Sequence, residues 1–194
     1  MLDNLKKYRI VLASNSPRRR ELLAGLGIDF EVRVLPDIDE SYPEGKLVTA
    51  DIPRYIAEKK AEAYLDRMGS DELIITADTV VIVGDEVLGK PADGDEARVM
   101  LGKISGRTHQ VVTGVCIVTC GRRTSFSVST DVTFKVLTDE ETDYYISEYR
   151  PFDKAGAYGI QEWIGYVGVT GLEGSYFNVM GLPVQRIYSE LLDF

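Results

Sequence analysis

The chain has 194 residues, of which 44% are hydrophobic, and its formal net charge is −9. This length suffices for a sizeable core, and we expect one globular domain over residues 1–194. The acidic balance opposes a broad nucleic-acid surface, because such surfaces neutralise phosphates with Lys and Arg. No apolar run approaches the roughly 20 residues that span a bilayer, and no apolar signal region follows the charged N-terminus. The composition therefore predicts a soluble, cytoplasmic protein without nucleic-acid or membrane partners.

The predicted elements of the first half alternate between strands and helices. Short apolar, β-prone runs predict strands over residues 9–13, 30–35 and 73–77. Helices are predicted over residues 17–26, which Pro17 opens, and over residues 53–68. An acidic loop over residues 36–43 separates the second strand from the second helix. Asp78 ends the third strand, whose unbroken apolar run LIITA is typical of burial on both faces.

The second half adds hairpins to this pattern. Two hairpins are predicted, one from residues 80–83 and 86–88 and one from residues 109–119 and 124–136. Helices are predicted over residues 94–104, from a capping box at Thr138 and Glu141 to Tyr149, and from Pro183 to Leu192. Glycine is concentrated in residues 156–181, which indicates a loop-rich, site-forming stretch. Alternating strands and helices followed by hairpins favour a mixed sheet flanked by helices over a purely parallel sheet.

The cysteines and the histidine exclude two kinds of site. Cys116 and Cys120 lie four residues apart in one predicted strand, so their Cα atoms are about 13 Å apart. A disulfide requires less than about 7 Å. His109 is the single histidine, which leaves no Cys/His zinc site. Unpaired thiols fit a reducing cytoplasm.

The segment SNSPRR at residues 14–19 is the first candidate site. It lies where a strand gives way to a helix, so free backbone N–H groups, the helix dipole and the guanidinium groups of Arg18 and Arg19 converge there. This arrangement is typical of phosphate binding, with Ser14 at its start. The alternative is an ordinary N-cap with residues 18–20 on a solvated face.

Two acids are candidates for metal or water chemistry. Asp78 follows an apolar strand directly, at the end of the sheet where α/β proteins bind ligands. Glu40 has the longest reach in the acidic run 37–40. Two neighbouring carboxylates can share a magnesium ion, and one can instead orient a water molecule. The alternatives are a turn cap for Asp78 and a solvated loop charge for Glu40.

Two lysines are candidates for phosphate contacts. Lys60 shares a predicted helix face with Ile56 and Tyr64, where it either extends to solvent or meets an anion. Lys90 lies in GDEVLGKP at residues 84–91, which nearly matches the P-loop pattern. Pro91 replaces the hydroxyl that would hold magnesium, and the segment is not entered and left in strand-to-helix order. We therefore expect no P-loop, while Lys90 remains a candidate point charge for a phosphate.

The remaining polar candidates have structural explanations as well. Asp93, with Glu96 three residues later, fits an N-cap, and a role in the site is the alternative. His109 fits a structural histidine at a strand start, because no Ser or Cys nucleophile motif accompanies it. Residues 153–161 and 174–183 are too rich in glycine and polar groups for a simple core. Each stretch indicates either part of a site or turn chemistry alone.

Taken together and in this order, these segments resemble the Maf family of nucleotide pyrophosphatases over nearly the whole chain. The matching segments are residues 14–19, the Glu40 loop, Lys60, residues 77–79, 89–91 and 105–109, and residues 153–161 and 174–183. The resemblance implies a two-lobed α/β fold with a central cleft, similar to inosine triphosphate pyrophosphatases. It also implies a divalent cation, Mg or Mn, and an often dimeric protein.

Three positions of the resemblance indicate which nucleotide base the protein accepts. Relatives that act on 7-methyl-GTP resemble S-P-W-R-R, S-D-Q and a late Ser-Glu, whereas this chain has Arg18 directly after Pro17, Thr79 after Asp78, and Gln161. This favours the branch that hydrolyses dTTP and UTP to the monophosphate and pyrophosphate. The resemblance further implies Asp78 as proton acceptor and Glu40 and Asp78 as metal ligands. The remaining residues implied at the substrate are Ser14, Arg18, Arg19, Lys60, Thr79, Lys90, Asp93 and Gln161.

A second hypothesis is a nucleotide-binding regulator of septum formation or cell division that does not turn over. Loss of the acid or of the cationic set would mark such a protein. Both are present here, which favours the enzyme.

Overall fold

The computed structural model describes residues 2–43 and 45–194 as a mixed α/β fold. The strands are β1 (Arg9–Leu12), β2 (Glu31–Val32), β3 (Glu72–Val83), β4 (Glu86–Leu88), β5 (Thr108–Val118), β6 (Arg123–Phe134) and β7 (Val169–Glu173). The helices are α1 (Pro17–Ala24), α2 (Ile52–Leu65), α3 (Gly94–Ile104), α4 (Asp139–Tyr149), α5 (Trp163–Gly168), α6 (Tyr176–Val179) and α7 (Val184–Leu191). The sheet has the order β2-β1-β3-β5-β6-β7, with β4 also paired to β3. This mixed sheet confirms the predicted fold class.

The chain divides into two compact units. Unit 1 comprises Met1–Asp78, Thr113–Val128 and Gly181–Phe194, and unit 2 comprises Thr79–Val112 and Ser129–Met180. The strands β3, β5 and β6 each contribute residues to both units. Within the described residues, no helix is both long enough and apolar enough to cross a membrane.

Unit 1 is built on parallel pairing around β1. β1 pairs in parallel with β2 on one side and with β3 on the other, where Arg9 lies opposite Glu72 and Leu12 opposite Ile75. Helix α2 covers this sheet because its buried residues recur at helical spacing. Its buried side chains Ala57, Ala61 and Tyr64 pack in one cluster with Val11, Ile74 and Cys116.

Helix α2 begins against β5 within unit 1, and Gly114 makes that contact possible. A Cβ atom on Gly114 would lie 2.1 Å from the Arg54 nitrogen and 2.2 Å from the Pro53 carbonyl carbon. Both atoms belong to the backbone, which cannot rotate away as a side chain can. The absence of a side chain at Gly114 therefore sets how closely α2 packs on the strand.

Unit 2 joins two antiparallel pairings to a helical layer. β3 and β4 form the predicted hairpin, in which Val83 lies opposite Glu86 and Gly84 has a φ of 60°. β6 pairs antiparallel with β7. Helix α4 begins at the predicted capping box, where Thr138 and Glu141 each accept from the other's backbone nitrogen. The core of this unit includes Leu101, Phe134 and Ile164.

Several predicted boundaries are wrong, and the largest error concerns β3. Asp78 does not end the strand, which continues to Val83 because it changes partners along its length. β3 pairs with β1 as far as Ile75 and with β4 from Val81 onward, so Asp78 lies between the two pairings. Backbone pairing on both sides keeps the chain extended through a residue of low β-propensity.

The other corrections are smaller. β2 covers two residues rather than residues 30–35, α1 and α2 end two and three residues early, and Cys120 lies beyond the end of β5. The late glycine-rich stretch is less loop-like than predicted, since it contains α5, β7 and α6. Tertiary pairing of β7 with β6 overrides the glycine signal there.

Candidate active site

The loop between β1 and α1 is organised by serine side chains. The buried Ser14 accepts a hydrogen bond at Oγ from the Ser16 nitrogen at 3.2 Å. Ser16 caps α1 and accepts from the Arg19 nitrogen at 3.4 Å, with Pro17 at the first helical position. The local sequence thus produces the predicted strand, tight loop and helix, with Arg18 and Arg19 in the first turn.

Arg19 is held in place by two backbone carbonyl groups of unit 1. Its Nε donates to Gly181 O and its Nη1 donates to Ala77 O, both at 2.8 Å. Burial lowers the pKa of the Arg19 guanidinium, while the nearby charges of Asp78 and Glu40 oppose that shift. The side chain of an arginine in a protein nevertheless remains protonated. Arg19 is therefore a fixed cation beside both predicted acids.

Lys60 joins the two acids in unit 1. Its Nζ lies 3.0 Å from Asp78 Oδ1 and 3.1 Å from Glu40 Oε2. The side chains of Lys60 and Asp78 are only 13% and 15% exposed. Two alternatives were given for Lys60, extension to solvent and contact with an anion. The structure shows the contact with an anion. Asp78 contacts a cation directly and lies within β3, so it does not cap a turn.

The Glu40 loop is anchored by the neighbouring lysine of α2. Lys59 Nζ donates to Asp39 Oδ2 at 2.8 Å and to Ser41 O at 2.9 Å. The hydrogen bonds from Lys59 and Ser41 hold the pKa of the Asp39 carboxyl below its usual range. Both neighbours of Glu40 are thus tied to the helix that carries Lys60. Lys59 was not among the predicted site residues, although its position beside Lys60 in the sequence, on the helix after an acidic loop, was an available signal.

Glu40 and Asp78 fit a divalent cation by the chemistry of their donor atoms. Their oxygens converge on one ammonium nitrogen, so both reach a single cationic position. Carboxylate oxygens suit Mg²⁺ and Mn²⁺, and Mg²⁺ is commonly held by one or two carboxylates together with substrate phosphates and water. Over residues 2–43 and 45–194 no group of three or more His, Cys, Asp or Glu side chains is arranged to hold a metal.

Unit 2 contains three more of the predicted site residues, Thr79, Lys90 and Asp93, at different places in the chain. Thr79 follows Asp78 within β3 and is half-buried, and Lys90 is exposed just after β4. Asp93 caps α3 by accepting from the Glu96 nitrogen at 2.9 Å. This contact gives Asp93 the structural role that was weighed for it. The segment around Lys90 runs from strand to hairpin turn to strand, which confirms that it is not a P-loop.

Gln161 lies in a turn of unit 2 between a 3₁₀ helix (Ala155–Ala157) and α5. Its Oε1 is buried and has no hydrogen-bond partner within the part of the chain that the structure describes. Gly156 anchors the start of this segment, because its nitrogen donates to Gly89 O at 2.9 Å. A Cβ on Gly156 would lie 2.8 Å from a Val81 methyl group, and its φ is +67°. The segment that carries Gln161 is thus packed closely at its N-terminal end.

His109 has a structural setting. It is buried near the start of β5, its Nε2 lies 2.7 Å from the Tyr158 hydroxyl, and its ring packs against Phe134. Burial lowers the pKa of His109 to about 4. The imidazole is therefore neutral at neutral pH, which agrees with the structural explanation.

A family comparison bears on all of these residues. The chain matches the model of a family described as "Maf-like protein" over residues 9–194. The chain belongs to this family. Residue by residue, the roles that the resemblance implied for this Maf-like chain stay predictions.

Three relatives of this Maf-like chain carry the same name, dTTP/UTP pyrophosphatase. The one from Phocaeicola vulgatus is 63% identical over 191 residues, which are 98% of each chain. The one from Parabacteroides distasonis is 61% identical over the full length of both chains. The one from Bacteroides thetaiotaomicron is 56% identical over 98% of each chain.

Proposed function

We propose that this Maf-like protein hydrolyses dTTP and UTP to the nucleoside monophosphate and pyrophosphate. The observation that carries the proposal is the full-length identity of 61–63% to two relatives named dTTP/UTP pyrophosphatase. The arrangement of Arg19, Lys60 and Asp78 in unit 1 supports it, because cations and a carboxylate side by side suit phosphate chemistry.

Local cations offset the acidic total of the chain. A triphosphate brings roughly four negative charges, which guanidinium and ammonium groups neutralise through charge-assisted hydrogen bonds. Arg18, Arg19, Lys60 and Lys90 are the groups proposed for this role. Ser14 keeps the loop before α1 in the shape that presents backbone N–H groups to a phosphate.

Asp78 is proposed as the proton acceptor. Water attacks the α-phosphorus and passes its proton to the Asp78 carboxylate, while the bond between the α-phosphorus and the bridging oxygen breaks. The pyrophosphate leaves with that electron pair. Lys60, bonded to Asp78 and to Glu40, orients both carboxylates. A Mg²⁺ or Mn²⁺ ion held by Glu40 and Asp78 would neutralise phosphate charge when bound.

Gln161 is proposed to recognise the base, together with Arg18 and Thr79. Its amide oxygen is buried without a donor, which costs about 1–3 kcal/mol. The N3–H of uracil or thymine would supply that donor, and the amide nitrogen would donate to O4. Asp93 caps α3. We propose that it also lies near the substrate. We further propose a cytoplasmic location, since the free thiols Cys116 and Cys120 fit a reducing compartment. The proposed homodimer rests on the family resemblance alone.

Product analysis tests this function. Purified protein is incubated with UTP or dTTP and Mg²⁺ in water enriched in ¹⁸O, with a chelator-treated sample as control. We expect UMP or dTMP and pyrophosphate as primary products, with the label in the monophosphate. A nucleoside diphosphate and orthophosphate as primary products would overturn the proposal. Nucleotide binding without turnover would favour the regulator instead.

A further inference from the structure

A buried polar cluster in unit 2 surrounds the turn that carries Gln161. The cluster consists of Tyr145 on α4, Lys154 and Glu162, which we call the Tyr145 cluster. Tyr145 is 0% exposed, and the side chains of Lys154 and Glu162 are 9% and 20% exposed. Buried ionic and polar groups are costly unless they are paired. Here the three side chains satisfy one another.

The Tyr145 hydroxyl contacts the chain on both sides of Gln161. It donates to Glu162 Oε2, one residue after Gln161, and accepts from the Gly159 nitrogen at 3.0 Å, two residues before it. Burial and the hydrogen bond to Glu162 raise the pKa of this hydroxyl, so it stays a donor at neutral pH. One atom of α4 therefore contacts the backbone at Gly159, before Gln161, and the side chain of Glu162, directly after it.

The charged members hold the same turn closed. Lys154 Nζ lies 3.1 Å from Glu162 Oε1, so the residues before and after the turn form an ion pair. A Cβ on Gly159 would lie 3.0 Å from both Glu162 Cδ and Lys154 Cε. The backbone at Gly159 is thus packed against the ion pair.

We propose that Tyr145 is a positioning residue for base selection, which holds the Gly159 and Glu162 positions so that the Gln161 amide meets the pyrimidine edge. This inference rests on the proposed function. A side-chain amide suits uracil or, turned by 180°, cytosine, so selection requires a fixed placement. A displacement of about 1 Å at a reacting or binding group can cost roughly a hundredfold in rate. Tyr145 restricts such displacement at both flanks of the turn.

The test is a double-mutant cycle between Tyr145→Phe and Gln161→Glu, measured as kcat/KM for UTP and for CTP. Tyr145→Phe keeps the ring that stacks on Tyr149 at a centroid distance of 5.2 Å and removes only the hydroxyl. We expect kcat/KM for UTP to fall about tenfold and that for CTP to fall less. In the Gln161→Glu background the same change should cost less than about twofold, because coupled residues are not additive.

Tyr144→Phe is the matched control, since Tyr144 is the preceding residue of α4 and is 47% exposed. It should leave both substrates within about twofold of the parent. Glu162→Gln is the second variant. It is used if a thermal-unfolding measurement shows that Tyr145→Phe does not fold. It should lower the UTP preference in the same direction.

Four results would overturn the inference. Equal losses for UTP and CTP in Tyr145→Phe would show a general structural role, and so would an undiminished effect in the Gln161→Glu background. If Gln161→Glu lowers the UTP preference and Tyr145→Phe does not, the inference fails while the proposed function stands. If the parent protein releases no UMP and pyrophosphate from UTP, both fail.

Discussion

Asp78 is the residue on which the proposed chemistry depends most. Its carboxylate is mostly buried and bonded to Lys60, and the Arg19 cation lies near enough to interact with it. These contacts would persist in part with an amide, because Asn keeps the shape and an oxygen acceptor. The charge and the proton-accepting capacity would be lost.

Asp78→Asn should therefore lower kcat by about 10² to 10⁴ while the protein remains folded. Steady-state hydrolysis of UTP, with circular dichroism on the same samples, measures both outcomes. Asp71→Asn is the matched control, because Asp71 is an exposed acid of unit 1 that pairs with Arg9. Activity of folded Asp78→Asn within a few-fold of the parent would show that Asp78 is not the proton acceptor.

Gln161 gives the second prediction at the scale of single residues. In Gln161→Glu an ionised carboxylate cannot donate to O4 of uracil and repels it, at a cost of roughly 1 to 3 kcal/mol. We expect kcat/KM for UTP and dTTP to fall about ten- to a hundredfold. CTP presents an amino donor at that position and should lose less. Similar losses for UTP and CTP would mean that Gln161 supports the turn without contacting the base.

At the scale of elements, the placement of α2 depends on Gly114. The Cβ atom of an alanine there would collide with the backbone at Pro53 and Arg54, where α2 begins. Relief of that overlap requires movement of the whole helix against the strand. The same helix carries Lys59 and Lys60, which hold the Glu40 loop.

Gly114→Ala should therefore lower stability by about 3 kcal/mol or more, the upper range for overpacking. This corresponds to a fall in Tm of roughly 6 to 12 °C for a chain of this size. Gly102→Ala is the control, because Gly102 lies in α3 and its added Cβ would meet nothing within 4 Å. Its Tm should equal or exceed that of the parent, since alanine favours a helix. A Tm of Gly114→Ala close to the parent value would contradict the packing argument.

Elements specified by neighbouring residues were predicted well. The capping box of Thr138 and Glu141 and the helix after Asp93 depend on contacts three residues apart, which the sequence displays directly. The limits of β2 and β3 were predicted poorly. Strand limits depend on which partner lies alongside, and that partner is distant in the chain.

At the scale of the whole molecule, a negative net charge coexists with cationic side chains at the candidate site. The chain carries −9 overall, yet Arg19 and Lys60 occupy one region of unit 1. A strongly acidic protein repels a polyanion at long range, and physiological salt screens this repulsion beyond about 8 Å. Short charge-assisted contacts then decide binding. The acidic total is thus compatible with the proposed nucleotide substrate.

The sequence by itself determined the mixed α/β class, the family and the residue types that the proposed chemistry requires. It did so because helix caps, turn residues and apolar runs are local, and because ordered motifs along most of the chain are specific. For Lys60 the helical pattern alone favoured extension to solvent over contact with an anion, whereas the structure shows the contact. Burial of a charged side chain depends on what packs around it, and a helical pattern alone leaves that open.

Only the tertiary structure decided the contacts that make these residues a candidate site. Lys60 and Asp78 are 18 residues apart, and Tyr145 and Glu162 are 17 apart, yet both pairs are in direct contact. Gly114 meets α2 through backbone atoms that no motif marks. Such contacts arise when the sheet and helices pack, because packing brings together side chains whose separation in sequence carries no periodic signal.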